Sequence, residues 1–213
     1  MTPPVAKPRV RRPRSAVVLT ISLLLLALVG AGCSGGGGDG GGDDDGRGGG
    51  GDRSGREVRL DARVAKVAGV LGKPRREKVA REAGAVVDRW FEAAYLGGDY
   101  PRSSFKDSWP GFTRDTRRQA VSDKRLTSNA GIGPKTESVV ARRKQVLVDV
   151  LAWKGKQRAA TARFTLVFDA TVKRTARHKV TGRAVLVLDR KGRWRVVGYD
   201  VSRSHRILGG DDR

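Results

Sequence analysis

Side chains that could perform acid–base chemistry are few in this sequence of 213 residues, which has two histidines, three tyrosines and one cysteine. A base that removes a proton beside a carbonyl must be held in an apolar pocket, next to a hydrogen-bond donor that stabilises the oxyanion. His178 lies between Arg177 and Lys179, and His205 lies in the polar stretch 202–206. These charged and polar neighbours predict solvated surface positions for both histidines.

Asp149 is the carboxylate whose pattern best fits a pocket. It alternates with Leu147, Leu151 and Trp153, so it shares one face of a predicted strand with apolar side chains. Two interpretations follow. The side chain points into the interior and acts as a base, or it forms an ion pair with an arginine on a neighbouring strand.

The tyrosines are Tyr95, Tyr100 and Tyr199, and each has a hydroxyl that could donate to a bound carbonyl. Tyr95 lies on the apolar face of a predicted helix, which favours a packing role. We predict no catalytic residue, and we keep Asp149, Tyr95 and Tyr199 as pocket candidates.

Metal and nucleotide sites are not predicted. The two histidines are far apart in the sequence, and Asp43–Asp45 lack the regular ligand spacing of a calcium loop. The glycine-rich run lacks the Gly-Lys-Ser/Thr ending of a phosphate-binding loop, and no strand precedes it. We therefore predict no metal and no cofactor.

Cys33, the single cysteine, ends a segment that has the features of an export signal. The residues before it include five lysines and arginines and no acidic residue, and residues 16–29 are almost wholly apolar but too short to span a bilayer. Gly30-Ala31-Gly32 directly precedes the cysteine. The segment resembles the leader and lipobox of bacterial lipoproteins, with Gly30 where Leu or a similar residue is usual.

This resemblance implies that residues 1–32 are a lipoprotein signal peptide and that two acyl chains are attached to the sulfur of Cys33. Two chains are what stable anchoring requires, because one chain binds only reversibly. The expected location is the cell membrane, on its extracytoplasmic face. An ordinary cleaved signal that ignores Cys33 and an uncleaved anchor are the alternatives.

Residues 33–55 form a low-complexity segment rich in glycine and aspartate, and residues 56–213 have the length of one domain. A flexible glycine-rich tether after Cys33 has a root-mean-square reach of about 26 Å. The sequence therefore predicts a disordered tether that keeps one domain close to the membrane.

Charge is the most unusual property of the chain, with 44 Lys and Arg against 22 Asp and Glu and a net charge of +22. Such a field attracts anionic phospholipids, wall polymers or an acidic envelope protein, none of which the sequence identifies. Nucleic acid is disfavoured, because the aromatic residues mostly coincide with apolar faces and do not lie among exposed arginines. Compositional drift toward arginine is the alternative explanation of the charge.

The elements that must position these residues fall into a helical part and a strand part. Apolar spacing predicts a helix over 79–95 that ends at Gly97-Gly98, and Thr113 is placed to cap a second helix to about Lys124. Residues 58–71 match both strand and helix spacing. Four strands are predicted after the helices, over 139–153, 160–172, 179–188 and 194–201, with hairpin connections at Lys156 and at 190–193. This order predicts an α+β domain with an antiparallel sheet packed by N-terminal helices.

Three segments, 90–95, 109–113 and 194–201, together resemble the NTF2-like, or SnoaL-like, cone-shaped fold. The chain looks in particular like the exported accessory members found in actinobacteria, including the Mce-associated proteins. The resemblance implies a curved antiparallel sheet wrapped around a helix. Because that family includes isomerases, dehydratases, cyclases and non-catalytic members, the fold does not choose a function.

The function predicted from the sequence is a lipid-anchored, non-catalytic module that binds or assembles envelope partners. The alternative is a small-molecule-binding or isomerase/dehydratase-type enzyme that uses the cone pocket. The two differ in whether Trp90, Phe164, Leu166 and Phe168 fill the interior or leave it open.

Overall fold

Residues 58–209 are described by a computed structural model of the chain. They belong to a compact unit that spans residues 51–213 and contains every buried core residue described, so this unit has a hydrophobic core of its own. The predicted signal peptide, Cys33 and the tether to residue 55 lie outside the described residues. Between residues 58 and 209, no helix is long and apolar enough to span a membrane.

The sheet contains five strands in the spatial order in which they occur along the chain. The first pair of strands is parallel and the other three pairs are antiparallel. The strands are β1 Leu60–Ala68, β2 Ser138–Trp153, β3 Lys156–Val172, β4 Arg174–Leu188 and β5 Trp194–Ile207. The α+β class is confirmed, but the sheet is mixed and has one strand more than predicted.

Strand β1 accounts for the difference. Its alternate residues Leu60, Ala62, Val64 and Val67 are partly buried and pack against the core, so the strand interpretation of the ambiguous segment holds. Because β1 precedes the first helix, the prediction that helices come before all strands is wrong.

The helices are short except for the first. Helix α1 follows the predicted apolar spacing and continues into a π-helical turn that ends before Gly97. The bounds are α1 Lys73–Phe91, the π-helical turn Glu92–Leu96, α2 Arg114–Ser122, α3 Lys124–Thr127 and a 3-10 turn at Gly133–Lys135. Thr113 precedes α2 as expected, but its hydroxyl pairs with that of Thr116 and does not cap the backbone.

The hairpin between β2 and β3 is tighter than predicted, because β3 begins at Lys156, which was expected to lie in the connection, and not at Ala160. Lys154 and Gly155 have φ angles of 48° and 67°, the left-handed geometry of a two-residue type I′ turn. Strand β5 is also longer than predicted, because residues 202–206 continue the ladder with β4 and do not form a polar tail.

The two faces of the sheet differ in what covers them. The inner face carries Val148, Phe164 and Leu186, which are at most 4% exposed and lie in one core cluster with α1 residues such as Trp90. The outer face carries the alternate residues, among them Arg183, whose side chain is 64% exposed. None of the helices in the described part of the chain packs on the outer face, and most of its side chains are at least partly exposed.

Candidate functional site

The interior between α1 and the inner face is occupied by aromatic side chains. The ring centroid of Trp90 lies 5.1 Å from that of Phe112 and 5.3 Å from that of Phe164, and Phe91 lies 5.6 Å from Phe164. All four side chains are at most 4% exposed. Edge-to-face packing at these distances leaves the rings in mutual contact.

Tyr95 and Tyr199, both pocket candidates, border this aromatic cluster. The Tyr95 hydroxyl donates to the carbonyl oxygen of Leu126 at 2.6 Å, and the Tyr199 hydroxyl donates to the Asp123 carboxylate at 2.7 Å. Burial raises the pKa of both tyrosines, and the Asp123 carboxylate raises that of Tyr199 further. Both hydroxyls are therefore neutral donors that the protein itself uses.

Asp149 lies on the outer face, where it forms the ion pair of the second interpretation. Its carboxylate accepts hydrogen bonds from Nε and Nη2 of Arg163 on β3, at 3.0 and 3.3 Å. Val148 and Val150 point inward, so the alternation of the strand turns Asp149 outward. An inward-pointing base at Asp149 is therefore wrong.

His178 corrects another expectation, because it is 6% exposed and does not lie on the surface. Its ring stacks on Phe168 at 5.1 Å and on His205 at 5.4 Å. The position lies on the inner face next to Val180, so strand alternation outweighs the charge of its two sequence neighbours. Burial, with Arg203 and then His205 as lesser causes, lowers the pKa of His178 to about 4.

Arg203 holds the end of β5 to the loop after α3. Its guanidinium donates to the carbonyl oxygen of Ser128 at 3.0 Å and to Oδ1 of Asn129 at 2.9 Å, and lies 3.3 Å from Nδ1 of His178. The Asn129 amide in turn donates to the carbonyl oxygen of Tyr95. These contacts connect β5 to the loop after α3 and to His178. Among residues 58–209, no group of histidine, cysteine or acidic residues is arranged to hold a metal ion.

The outer face carries a dense group of cations where β2 and β4 begin and β3 and β5 end. Two rows of the ladder join them: Arg143, Val167, Lys179 and Ser204 lie side by side on β2 to β5, and Asp169, Arg177 and Arg206 lie side by side in the next row. We call this group the basic end, and it consists of Arg142, Arg143, Arg177, Lys179 and Arg206.

A single carboxylate, Asp169, lies within the basic end. It is paired with Arg142 at 2.7 Å and with Arg177 at 2.8 Å, and its side chain is 5% exposed. The hydrogen bond from Arg177, helped by Arg142 and opposed by burial, lowers the pKa of Asp169. Asp169 is thus ionised, and it fixes two of the five guanidinium and ammonium groups.

The remaining cations, Arg143, Lys179 and Arg206, are exposed. None of the ion pairs among residues 58–209 includes them. Five cations and one carboxylate leave a net charge of +4 on this part of the surface. The uncompensated charge makes the basic end suited to binding anions.

An open depression of about 400 Å³ lies at the basic end, lined by Arg143, Thr165, Arg177, Lys179, Ser204, Arg206 and their neighbours Val167 and His205. Hydroxyls beside cations offer hydrogen bonds as well as charge to a phosphate oxygen. The arrangement provides binding groups for an anion.

A second basic groove, of about 470 Å³, lies where α2 meets β5 and is lined by Arg114, Arg117, Arg118 and Arg195. Three of these arginines are used within the protein. Arg117 donates to the carbonyl oxygen of Lys106 at 2.6 Å, Arg118 pairs with Asp115 at 2.5 Å, and Arg195 donates to the carbonyl oxygen of Phe112 at 3.1 Å. The second groove therefore has fewer cations without a partner among the described residues than the basic end.

No protein-family model, curated protein or solved structure matches this chain. The family resemblance therefore remains a prediction.

The basic end was not identified as a group by sequence reasoning. A usable signal was present, because Arg177 and Lys179 alternate with His178 and Val180, as cations on one side of a strand and buried residues on the other. The neighbouring strands that complete the group are set by the register, which the sequence pattern does not fix.

Proposed function

We propose that this protein is a lipid-anchored, extracytoplasmic docking module whose basic end binds the anionic phospholipid head groups of the cell membrane that carries it. The observation that supports this most directly is the exposed net charge of +4 at the basic end, on a face that no described helix covers. Basic residues near an anionic membrane surface contribute about 1 kcal/mol each. Three exposed cations have no ion pair among the described residues and provide this attraction: Lys179 and Arg206, and Arg143, whose guanidinium also donates to Oε1 of Gln145 at 2.7 Å on the exposed surface.

Anchoring through Cys33 is the second part of the proposal. The apolar leader, the small residues before the cysteine and the glycine-rich tether support it. Mass spectrometry of the protein from membranes is expected to show an acylated cysteine at the N-terminus of the mature chain. An unmodified Cys33, or a Cys33→Ala variant that stays membrane-bound, contradicts the lipid anchor.

We further propose that the fold is of the NTF2-like cone type with a closed interior, which makes the module non-catalytic. Helix α1 on the inner face and a meander of four antiparallel strands agree with that type, whereas the parallel strand β1 is additional to the predicted four. The packed rings of Trp90, Phe112 and Phe164 support a closed interior. The alternative, an enzyme that uses the cone pocket, finds little support in Tyr95 and Tyr199, whose hydroxyls donate to protein groups.

Vesicle binding tests the docking proposal on the unit of residues 51–213, which contains the whole described core. Binding to vesicles containing phosphatidylglycerol is expected to exceed binding to phosphatidylcholine vesicles and to weaken as salt is raised. The variant Arg143→Gln/Lys179→Gln/Arg206→Gln removes about 3 kcal/mol of attraction, which corresponds to roughly 100-fold weaker binding.

The matched control is Arg114→Gln/Arg117→Gln/Arg118→Gln, which removes the same charge from the second basic groove. Its binding is expected to stay within about fivefold of the parent, because the long-range effect of net charge is screened by salt. Equal losses in the two triple variants would mean that total charge and not the basic end determines binding. Equal binding to neutral and anionic vesicles would overturn the proposal, and binding to purified wall polymer alone would assign the basic end to that polymer.

A further inference from the structure

The outer face has a second unusual region at the opposite end of its strands, about eight residues or roughly 26 Å from the basic end at the spacing of a β-strand. Three connections meet there: the loop 69–72 between β1 and α1, the turn Lys154–Gly155 and the turn 189–193 between β4 and β5. We call this region the loop end.

Large apolar side chains are exposed at the loop end. Val70 is 79% exposed, Leu151 is 52% exposed and Trp153 is 63% exposed. The other three tryptophans of the chain, Trp90, Trp109 and Trp194, are at most 4% exposed. Single exposed apolar residues are common, but neighbouring ones that include a tryptophan are characteristic of a binding surface.

Backbone contacts bring the segments that carry these three residues to the same end of the sheet. Leu151 pairs with Ala68, the last residue of β1, and Trp153 pairs with Lys156 across the turn. At Gly69 an added Cβ would lie 2.2 Å from the carbonyl oxygen of Ala152, so the backbone that leads to Val70 passes directly over the end of β2. Arg75 of α1 donates to the carbonyl oxygen of Gly155 and ties the helix to the turn.

Cations surround the apolar side chains. Lys154 lies in the first turn and Lys156 directly follows it. The second turn carries Arg190, Lys191 and Arg193 with one carboxylate, Asp189, which is bonded within its own turn. Lys154 has a φ of 48°, where Gly, Asn or Asp is preferred, and its ammonium forms none of the ion pairs in the described part of the chain. The ammonium of Lys154 is therefore free to contact an external anion.

We propose that the loop end inserts into the interfacial region of an anionic bilayer, with Trp153, Val70 and Leu151 among the upper acyl chains and Lys154 and Lys156 at the phosphates. Tryptophan favours this boundary because its ring is apolar and its indole N–H requires a polar partner, while lysine extends its charge toward the head groups. The inference rests on the proposed function and adds an orientation: the outer face lies along the membrane with both of its ends in contact.

Fluorescence of the unit 51–213 tests the insertion, because Trp153 is the tryptophan that lipid can reach. Vesicles of phosphatidylglycerol and phosphatidylcholine carrying bromine at defined acyl positions are the probe. The emission is expected to shift to shorter wavelength on binding and to be quenched most by shallow bromines. In the Trp153→Phe variant both effects should be lost, and Trp153→Ala should bind at least about tenfold more weakly.

The variant Trp109→Phe is the matched control, since its ring is buried, and it should keep both the shift and the quenching. The two proposals fail in different ways. If the basic-end variant loses binding while Trp153 is neither shifted nor quenched and Trp153→Ala binds normally, the insertion is wrong and docking stands. A blue shift that grows with protein concentration in the absence of lipid, together with dimers by ultracentrifugation, would identify the loop end as an interface between two copies and overturn insertion.

Discussion

The inner and outer faces of the sheet are built from alternate residues of the same strands, yet their polar groups are used in opposite ways. On the inner face, Lys144 is buried and paired with Asp88 and Glu92, and the Tyr95 hydroxyl donates to the main chain. On the outer face, Lys179 and Arg206 are exposed and form no ion pair among the described residues. The side chains that remain available for binding are therefore on the uncovered face and not in an interior pocket.

This difference follows from the cost of burial. A buried charge without a partner is strongly unfavourable, so each inner-face charge must be matched inside the fold. An exposed charge is solvated and can remain unmatched at little cost. The inner face thus contributes stability, whereas the proposed binding uses the outer face, and a substitution on one face is expected to affect little of what the other provides.

The largest expected difference in stability between the two faces is that between substitutions of two tryptophans, one buried and one exposed. Trp90→Ala removes a fully buried ring and the hydrogen bond from Nε1 to the carbonyl oxygen of Thr127, and should lower the free energy of unfolding by about 3–5 kcal/mol. Trp153→Ala removes a ring that is 63% exposed and should change it by about 0.5 kcal/mol or less. Urea denaturation of both variants measures the difference, and similar losses would contradict the division between the faces.

A pH-dependent effect on the inner face is expected to be smaller. Because burial, Arg203 and His205 hold the pKa of His178 near 4 against an attraction by Asp169, the folded protein binds fewer protons here than the unfolded chain. Stability should therefore be full above about pH 6.5, decrease as the pH falls toward 4, and show no further loss from this group below that. The contribution is about 2–3 kcal/mol over this window.

His178→Phe tests this, because phenylalanine retains the stacking on Phe168 and does not titrate. Denaturation midpoints measured from pH 7 to pH 4 should fall less steeply for the variant than for the parent. Parallel slopes would show that folding does not lower the pKa of His178.

The α+β class, the long helix and the four antiparallel strands could be predicted from sequence because each depends on local spacing. The 3.6-residue spacing along α1 and the alternation from Ala160 to Ala170 are both strong patterns. Strand β1 could not be assigned, since its residues fit either spacing. Its identity depends on pairing with β2, which lies about eighty residues away in the sequence.

Which side of each strand points toward the core was harder to predict than the position of the strand in the sequence. On β2, both alternating sets contain apolar residues, Val146, Val148 and Val150 on one side and Leu151 and Trp153 on the other, so alternation alone does not identify the core side. The two interpretations of Asp149 differ for the same reason. The basic end, in turn, depends on the register of β2 to β5, a long-range property that no local pattern contains.

Two ion-pair sites that involve β2, one on each face, give the smallest expected effect and the most direct comparison of the faces. Lys144 is 5% exposed and lies 3.0 Å from Asp88 and 2.9 Å from Glu92, and these carboxylates outweigh burial and raise its pKa. Because the two carboxylates are partly exposed, Lys144→Met should cost only about 1–2 kcal/mol, below the usual range for breaking a buried pair. On the outer face, Arg163→Met, which breaks the pair with Asp149, should cost at most about 0.5–1 kcal/mol.

Adding Asp88→Asn and Glu92→Gln to Lys144→Met distinguishes the cause of the inner-face loss. If the loss comes from leaving two carboxylates without their cation, the triple variant should regain most of the stability, because removing all the charges of a buried pair together is close to neutral. The corresponding outer-face variant, Arg163→Met with Asp149→Asn, should differ little from its single variants, because solvent screens both charges. Two double-mutant cycles follow. The inner cycle uses Lys144→Met, Asp88→Asn/Glu92→Gln and their combination, and the outer cycle uses Arg163→Met, Asp149→Asn and their combination. Denaturation of these six variants and the parent at pH 7 gives the coupling energy on each face. A coupling energy on the outer face that equals or exceeds the inner one would mean that solvent does not separate the two faces energetically.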